Sequence, residues 1–169
     1  MKNNTMTYDF EDGVGPVPAH RHSRGRGWVA NTARVESSAY IGPNARIYGT
    51  AEVYGTAEVF GTARIYGTAE VYDNARVYGN AVVRGNARVY GTAEVYDNAG
   101  VYGNARVYGN AWVYGNAGVF GRAWVCDNAW VYGNARVYGT AEVYDNAVIY
   151  GTDEVRDNAK VYDDHHPLL

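Results

Sequence analysis

Residues 99–116 read AGVYGN ARVYGN AWVYGN, three copies of a six-residue unit with nothing inserted between them. The period extends far beyond this stretch. Every sixth residue from Val29 to Val161 is Val or Ile, and the residue two before it is Ala throughout, except at Gly27 and Asp153. Strand alternation puts this Ala and Val on one side of a very short strand and the residues beside them on the other. A core that admits only Ala, Val and Ile must be narrow, and Tyr is left outside.

The two remaining positions of each unit turn the chain. Thr follows Gly, as in Gly49-Thr50 and Gly139-Thr140, and Asn follows Asp, as in Asp73-Asn74 and Asp145-Asn146. Thr is β-branched and resists positive φ, so it leaves that conformation to the preceding Gly. Asn tolerates positive φ and frees the preceding position for Asp. One residue per corner is therefore expected in the left-handed region, and in the Asp-Asn corners it is expected to be Asn.

The composition agrees with a helix-free fold. The 169 residues include 21 Gly and 17 Tyr, but Leu occurs only at Leu168 and Leu169, Lys only at Lys2 and Lys160, and Gln not at all. Helices draw heavily on those residues, so a bundle or βαβ fold is excluded. A hydrophobic fraction of 47% with a net charge of −3 excludes disorder. The isoelectric point near 5.8 shows no basic field for nucleic acid. No apolar run reaches the roughly 18 residues of a membrane span, and MKNNTMTYDFEDG lacks a signal-peptide core. A cytoplasmic protein is expected, without an internal disulfide because Cys126 is the only cysteine.

Short strands joined by sharp corners describe a parallel β-solenoid. Over residues 28–162 the hexads resemble the left-handed β-helix of the hexapeptide-repeat superfamily, in which three hexads form one triangular coil. The resemblance implies an all-β, single-domain left-handed prism of about 7–8 coils, roughly 37 Å long at the spacing of stacked strands. Residues 1–27 are an N-terminal leader or cap and 163–169 a C-terminal tail. Tyr8, Phe10, Val14 and Val17 could cover one end of the prism, and Pro167, Leu168 and Leu169 the other.

Taking every third hexad sorts the outward residues onto three faces. One carries the row Phe60, Tyr78, Tyr96, Tyr114, Tyr132, Tyr150 beside Glu58, Arg76, Glu94, Trp112, Trp130, Val148. Trp112, Trp130 and Val148, flanked by Tyr114, Tyr132 and Tyr150, form an apolar patch expected to meet another subunit or a protein partner. A second face, with Glu52, Glu70, Arg88, Arg106, Trp124 and Glu142, reads as solvated. On the third, Gly100 and Gly118 should stack and leave bare backbone between Tyr102 and Phe120, with Arg84 and Arg136 at the ends. Such a shallow groove could hold a planar or phosphorylated ligand, admit a neighbouring subunit, or have no role. Most of the Tyr ladder needs no function, since Tyr suits exposed strands and stacks well.

The superfamily is known for trimeric acyltransferases with a catalytic His as general base. No His occurs between residues 23 and 164, so that activity is not carried over. His20, Arg21, His22, Arg24 and Arg26 cluster in the leader instead. They could grip a small anionic ligand, His-x-His could ligate a metal, or the segment could simply be basic. No third ligand lies nearby, and neither a metal nor a cofactor is assigned. His165-His166 forms a weaker terminal pair, and Cys126 has no companion His for nucleophilic chemistry. The run Gly15-Pro16-Val17-Pro18-Ala19-His20-Arg21-His22, with Gly25-Arg26-Gly27-Trp28-Val29, is similar to the opening of bacterial and prophage hexapeptide-repeat proteins.

The expectation is a non-catalytic homo-oligomer, a trimer by the resemblance, acting as a binding scaffold. A phage-encoded inhibitor or ligand-sequestering protein of host defence fits the second resemblance. The alternatives are a binder of small phosphorylated ligands or nucleotides at subunit boundaries and a diverged acyltransferase.

Overall fold

A computed structural model of the chain describes residues 6–162. The hexads form a parallel β-solenoid of about eight coils, and the described residues contain no helix. Each hexad contributes one strand, usually of two residues, and strands 18 residues apart pair in parallel, as Arg76 does with Glu94 and Val77 with Val95. Three sheets of ten, eight and seven strands result. The Ala and Val rows line the interior and are fully buried over nearly the whole length. Asp153 interrupts the Ala row near the C-terminal end, where its Oδ2 is buried without a hydrogen-bond partner among the described residues.

From Gly49 onward each corner does have one residue at positive φ, but Asn is not that residue. From Gly49 to Asp157 the first corner position takes it, whether Gly, as at Gly49 (φ 68°), or Asp, as at Asp73 (φ 60°) and Asp97 (φ 56°), whereas the three earlier corners, Asn31-Thr32, Ser37-Ser38 and Pro43-Asn44, turn without positive φ. Corner geometry fixes the position, and Asp tolerates the left-handed region well enough to fill it. Asn holds the second position for another reason. Its amide donates to the Asn one coil on, through Asn80, Asn98, Asn116 and Asn134. Thr starts such ladders by donating its hydroxyl to the next Asn, as Thr62 does to Asn80.

The leader is continuous with the solenoid. Strand β1 (Thr7–Tyr8) pairs antiparallel with β2 (Val17–Arg21), and β2 pairs antiparallel with β3 (Trp28–Ala30), the first hexad strand, so the two leader strands are counted among the strands of the ten-stranded sheet. Of the four expected capping residues, Val14 is 74% exposed and covers nothing. Tyr8, Phe10 and Val17 pack together in a small cluster with Trp28, Tyr48 and Tyr66, apart from the Ala/Val core. Tyr8 stacks on Trp28 at 4.3 Å and Phe10 on Tyr48 at 5.0 Å, so the leader extends an outer aromatic ladder.

The strand edge at Ile41 is covered by another part of the leader. Gly27 donates its N–H to the Ile41 carbonyl, and Ile41 donates its own to the Arg24 carbonyl. Gly27 replaces the usual Ala because a methyl there would lie 2.3 Å from Ile41 Cγ2. Pro167, Leu168 and Leu169, expected over the other end, lie outside the described residues.

Candidate functional site

The apolar patch forms as expected on the seven-stranded sheet. Trp112 and Trp130 are register partners whose rings stack at 5.2 Å and 4°. Trp130 pairs in turn with Val148, and Trp130 and Tyr150 are 41% and 44% exposed. The ladder beside them runs from Phe60 to Tyr150, most ring centroids being 4.8–4.9 Å apart and the last step 5.7 Å. At the other end of the face Arg76 bridges Glu58 and Glu94, both at 3.3 Å. One half of the face is thus charged and internally paired, the other half aromatic. Burial pushes the Tyr96 hydroxyl up to about 12, with Tyr114 adding to the shift.

The expected groove on the ten-stranded sheet is closed at Gly100. Gly100 and Gly118 are register partners, but Gly100 is buried, and a methyl built on it would fall 1.8 Å from the Tyr102 hydroxyl oxygen. With no side chain beneath it, the Tyr102 ring lies over the glycine and covers the backbone. Arg84 then sits over that ring, 4.5 Å from its centroid. At Gly118 a methyl would fit, meeting the Phe120 ring at an ordinary 3.7 Å, and Phe120 stacks on Tyr138.

The leader cluster separates into different tasks. His20 is exposed and its Nδ1 lies 2.9 Å from Asn31 Oδ1. His22 is only 4% exposed, with Nε2 against the Glu36 carbonyl and Nδ1 near the backbone of Arg24. Arg24 donates to the Ser38 carbonyl. Arg21 donates Nη1 to the carbonyls of Arg26 and Pro43, and its guanidinium lies 4.0 Å over the Trp28 ring. Arg26 stays exposed at φ 65° and supplies its carbonyl to Arg21. Four of the five residues thus hold the first coil and the leader together. Among the described residues, no three His, Cys, Asp or Glu side chains group as metal ligands. His165 and His166 lie outside the described residues.

Cys126 replaces a Tyr in the ladder of the eight-stranded sheet. It is 7% exposed, and burial pushes its thiol up to about 11, away from the thiolate a nucleophile needs.

A groove that the sequence reading missed lies beside the leader. It encloses about 590 Å3 and is lined by Tyr8, Glu11, Arg21, Trp28, Arg46 and Arg64, with Asn44 and Thr62 on its corner side. Arg46 and Arg64 are register partners on adjacent strands, a like-charged pair. Their 18-residue spacing was legible, but the leader strand that roofs them was not.

A family model described as YdcK Beta solenoid repeat matches residues 69–85 and 99–115. Each matched segment spans nearly one coil, and the two begin on different faces of the solenoid. No curated protein and no solved structure matches.

Proposed function

We propose that the protein is a non-catalytic binding scaffold that associates with further copies of itself through the face bearing Trp112, Trp130, Val148 and Tyr150. The observation that carries this is the stacked Trp pair on the outside of the seven-stranded sheet, with Trp130 exposed and Trp112 partly so. Contiguous aromatic surface of this kind is rare on monomers and common at the centres of interfaces. A flat face repeating once per coil is matched best by a surface with the same repeat, which a second copy supplies. The resemblance to hexapeptide-repeat proteins favours a trimer of left-handed prisms.

Native mass spectrometry tests the reading. An oligomer is expected for the wild type and a monomer for Trp112→Glu with Trp130→Glu. A wild type that remains monomeric at tens of micromolar overturns it. Incubation with acetyl-CoA provides a contrast, since turnover read as release of the free thiol would favour a diverged acyltransferase.

A further inference from the structure

We propose that the groove between the leader and the ten-stranded sheet binds the phosphate group of a small phosphorylated molecule through Arg46 and Arg64, and that Glu11 occupies Arg46 until the ligand arrives. Three guanidinium groups face this groove, from Arg21, Arg46 and Arg64, against one carboxylate. Arg46 and Arg64 stand directly opposite on neighbouring strands, where like charges repel unless a counter-charge is present. Glu11 supplies one, with Arg46 Nη1 at 2.8 Å and Nη2 at 3.3 Å from its two carboxylate oxygens. The Arg64 guanidinium has no ion pair or hydrogen bond among the described residues, and its charge acts on Glu11 and Tyr48 only at longer range. The other stacked arginine pair, Arg88 and Arg106, is provided for differently: Arg88 bonds Glu70 and Arg106 lies over Trp124.

The two-pronged contact of Glu11 with Arg46 is the contact a phosphate makes with a guanidinium fork. Glu11 reaches it from a backbone at φ 62°, a costly conformation for a non-glycine residue, which the Asp9 carboxylate supports by accepting the Glu11 N–H. The carboxylate therefore acts as a tethered stand-in for the ligand's anionic group. Arg21 is held in place by two carbonyls and the Trp28 ring, so its charge is pre-positioned rather than neutralised by a carboxylate. Beyond the arginines, the groove offers the edges of Tyr8 and Trp28 and the amide of Asn44 to an organic body. Its volume falls within the range of small-molecule sites.

The test is calorimetric titration of the full chain with inorganic phosphate and with phenyl phosphate. Both are expected to bind, phenyl phosphate more tightly. Arg64→Ala should weaken binding at least tenfold with little change in melting temperature, because the Arg64 guanidinium makes no hydrogen bond or ion pair among the described residues. Glu11→Gln should tighten binding several-fold by removing the competitor, whereas a purely structural ion pair would give a looser leader and no gain. Arg84→Ala, on the same sheet but outside the groove, should leave affinity unchanged.

Two results overturn the site: wild type and Glu11→Gln binding no better than Arg64→Ala, or Arg84→Ala losing as much as Arg64→Ala. Equal affinity for the two probes overturns the organic part of the ligand and reduces the site to one for free phosphate. The oligomer reading stands or falls separately, since none of these residues lies on the Trp112 face.

Discussion

The Asp73 carboxylate accepts the backbone N–H of Gly91, the residue stacked on it one coil later, at 3.2 Å. Asp97 does the same for Gly115 at 3.3 Å. Asp at a corner therefore combines tolerance of positive φ with an acceptor for an amide of the next coil. Asp73→Gly should cost under about 1 kcal/mol, since Gly keeps the conformation and loses only an exposed bond. Asp73→Val should cost about 2 kcal/mol or more, because a β-branched residue resists that region. Urea denaturation of the two variants checks the order.

The core column should tolerate change in neither direction. Val107→Ala removes two buried carbon atoms and should cost about 2 kcal/mol. Ala105→Leu should cost about as much by overpacking, since the three sheets leave no room for a longer chain. Asp153→Ala is expected to stabilise by about 1 kcal/mol, because it restores the Ala row and removes a carboxylate oxygen buried without a partner. Equilibrium unfolding of the three variants gives the signs.

The ladder tyrosines should make the protein sensitive to alkali. Burial pushes Tyr48, Tyr54 and Tyr96 up to about 12, so each binds its proton more tightly when folded than when unfolded. A raised folded pKa contributes stability that is complete below the unfolded value near 10 and is lost as pH rises through the folded one. Stability should thus hold to about pH 9.5 and fall between about pH 10 and 12. Tyrosinate absorbance should lag behind that of the denatured chain over the same range.

His22 should hold the leader down rather than bind a ligand. Both of its ring nitrogens sit against backbone groups of the leader and the first coil, and its ring is buried. His22→Ala should cost about 1–3 kcal/mol through unpaired backbone groups and should speed protease cleavage within residues 6–27. Cleavage at the wild-type rate would sink this assignment.

The regular part of the fold was open to reading because each hexad repeats the same local decision. Ala and Val alternate with Tyr, and from Gly49 onward a Gly or Asp opens each turn, so one coil stands for those that follow. The Trp112 and Trp130 stack followed from an 18-residue spacing alone. Gly100 shows where such counting stops, since the spacing located two bare backbones but could not foresee that the Tyr102 ring would swing onto one of them. Asn escaped for a similar reason: its role lies in a hydrogen bond to another coil, while its local conformational tolerance suggested a different one.

The leader marks the division between what the sequence by itself determined and what only the tertiary structure decided. The six-residue period determined the solenoid, its narrow core and its outward aromatic rows, because burial of small apolar residues at fixed intervals admits few other solutions. The leader has no period, so its path was decided by what the finished prism offered: the edge of Ile41, the carbonyls of residues 36 and 38, and the rings of Trp28 and Tyr48. That path turned Arg21, His22 and Arg24 into fasteners and brought Glu11 to Arg46, making a groove out of residues 35 positions apart in the chain.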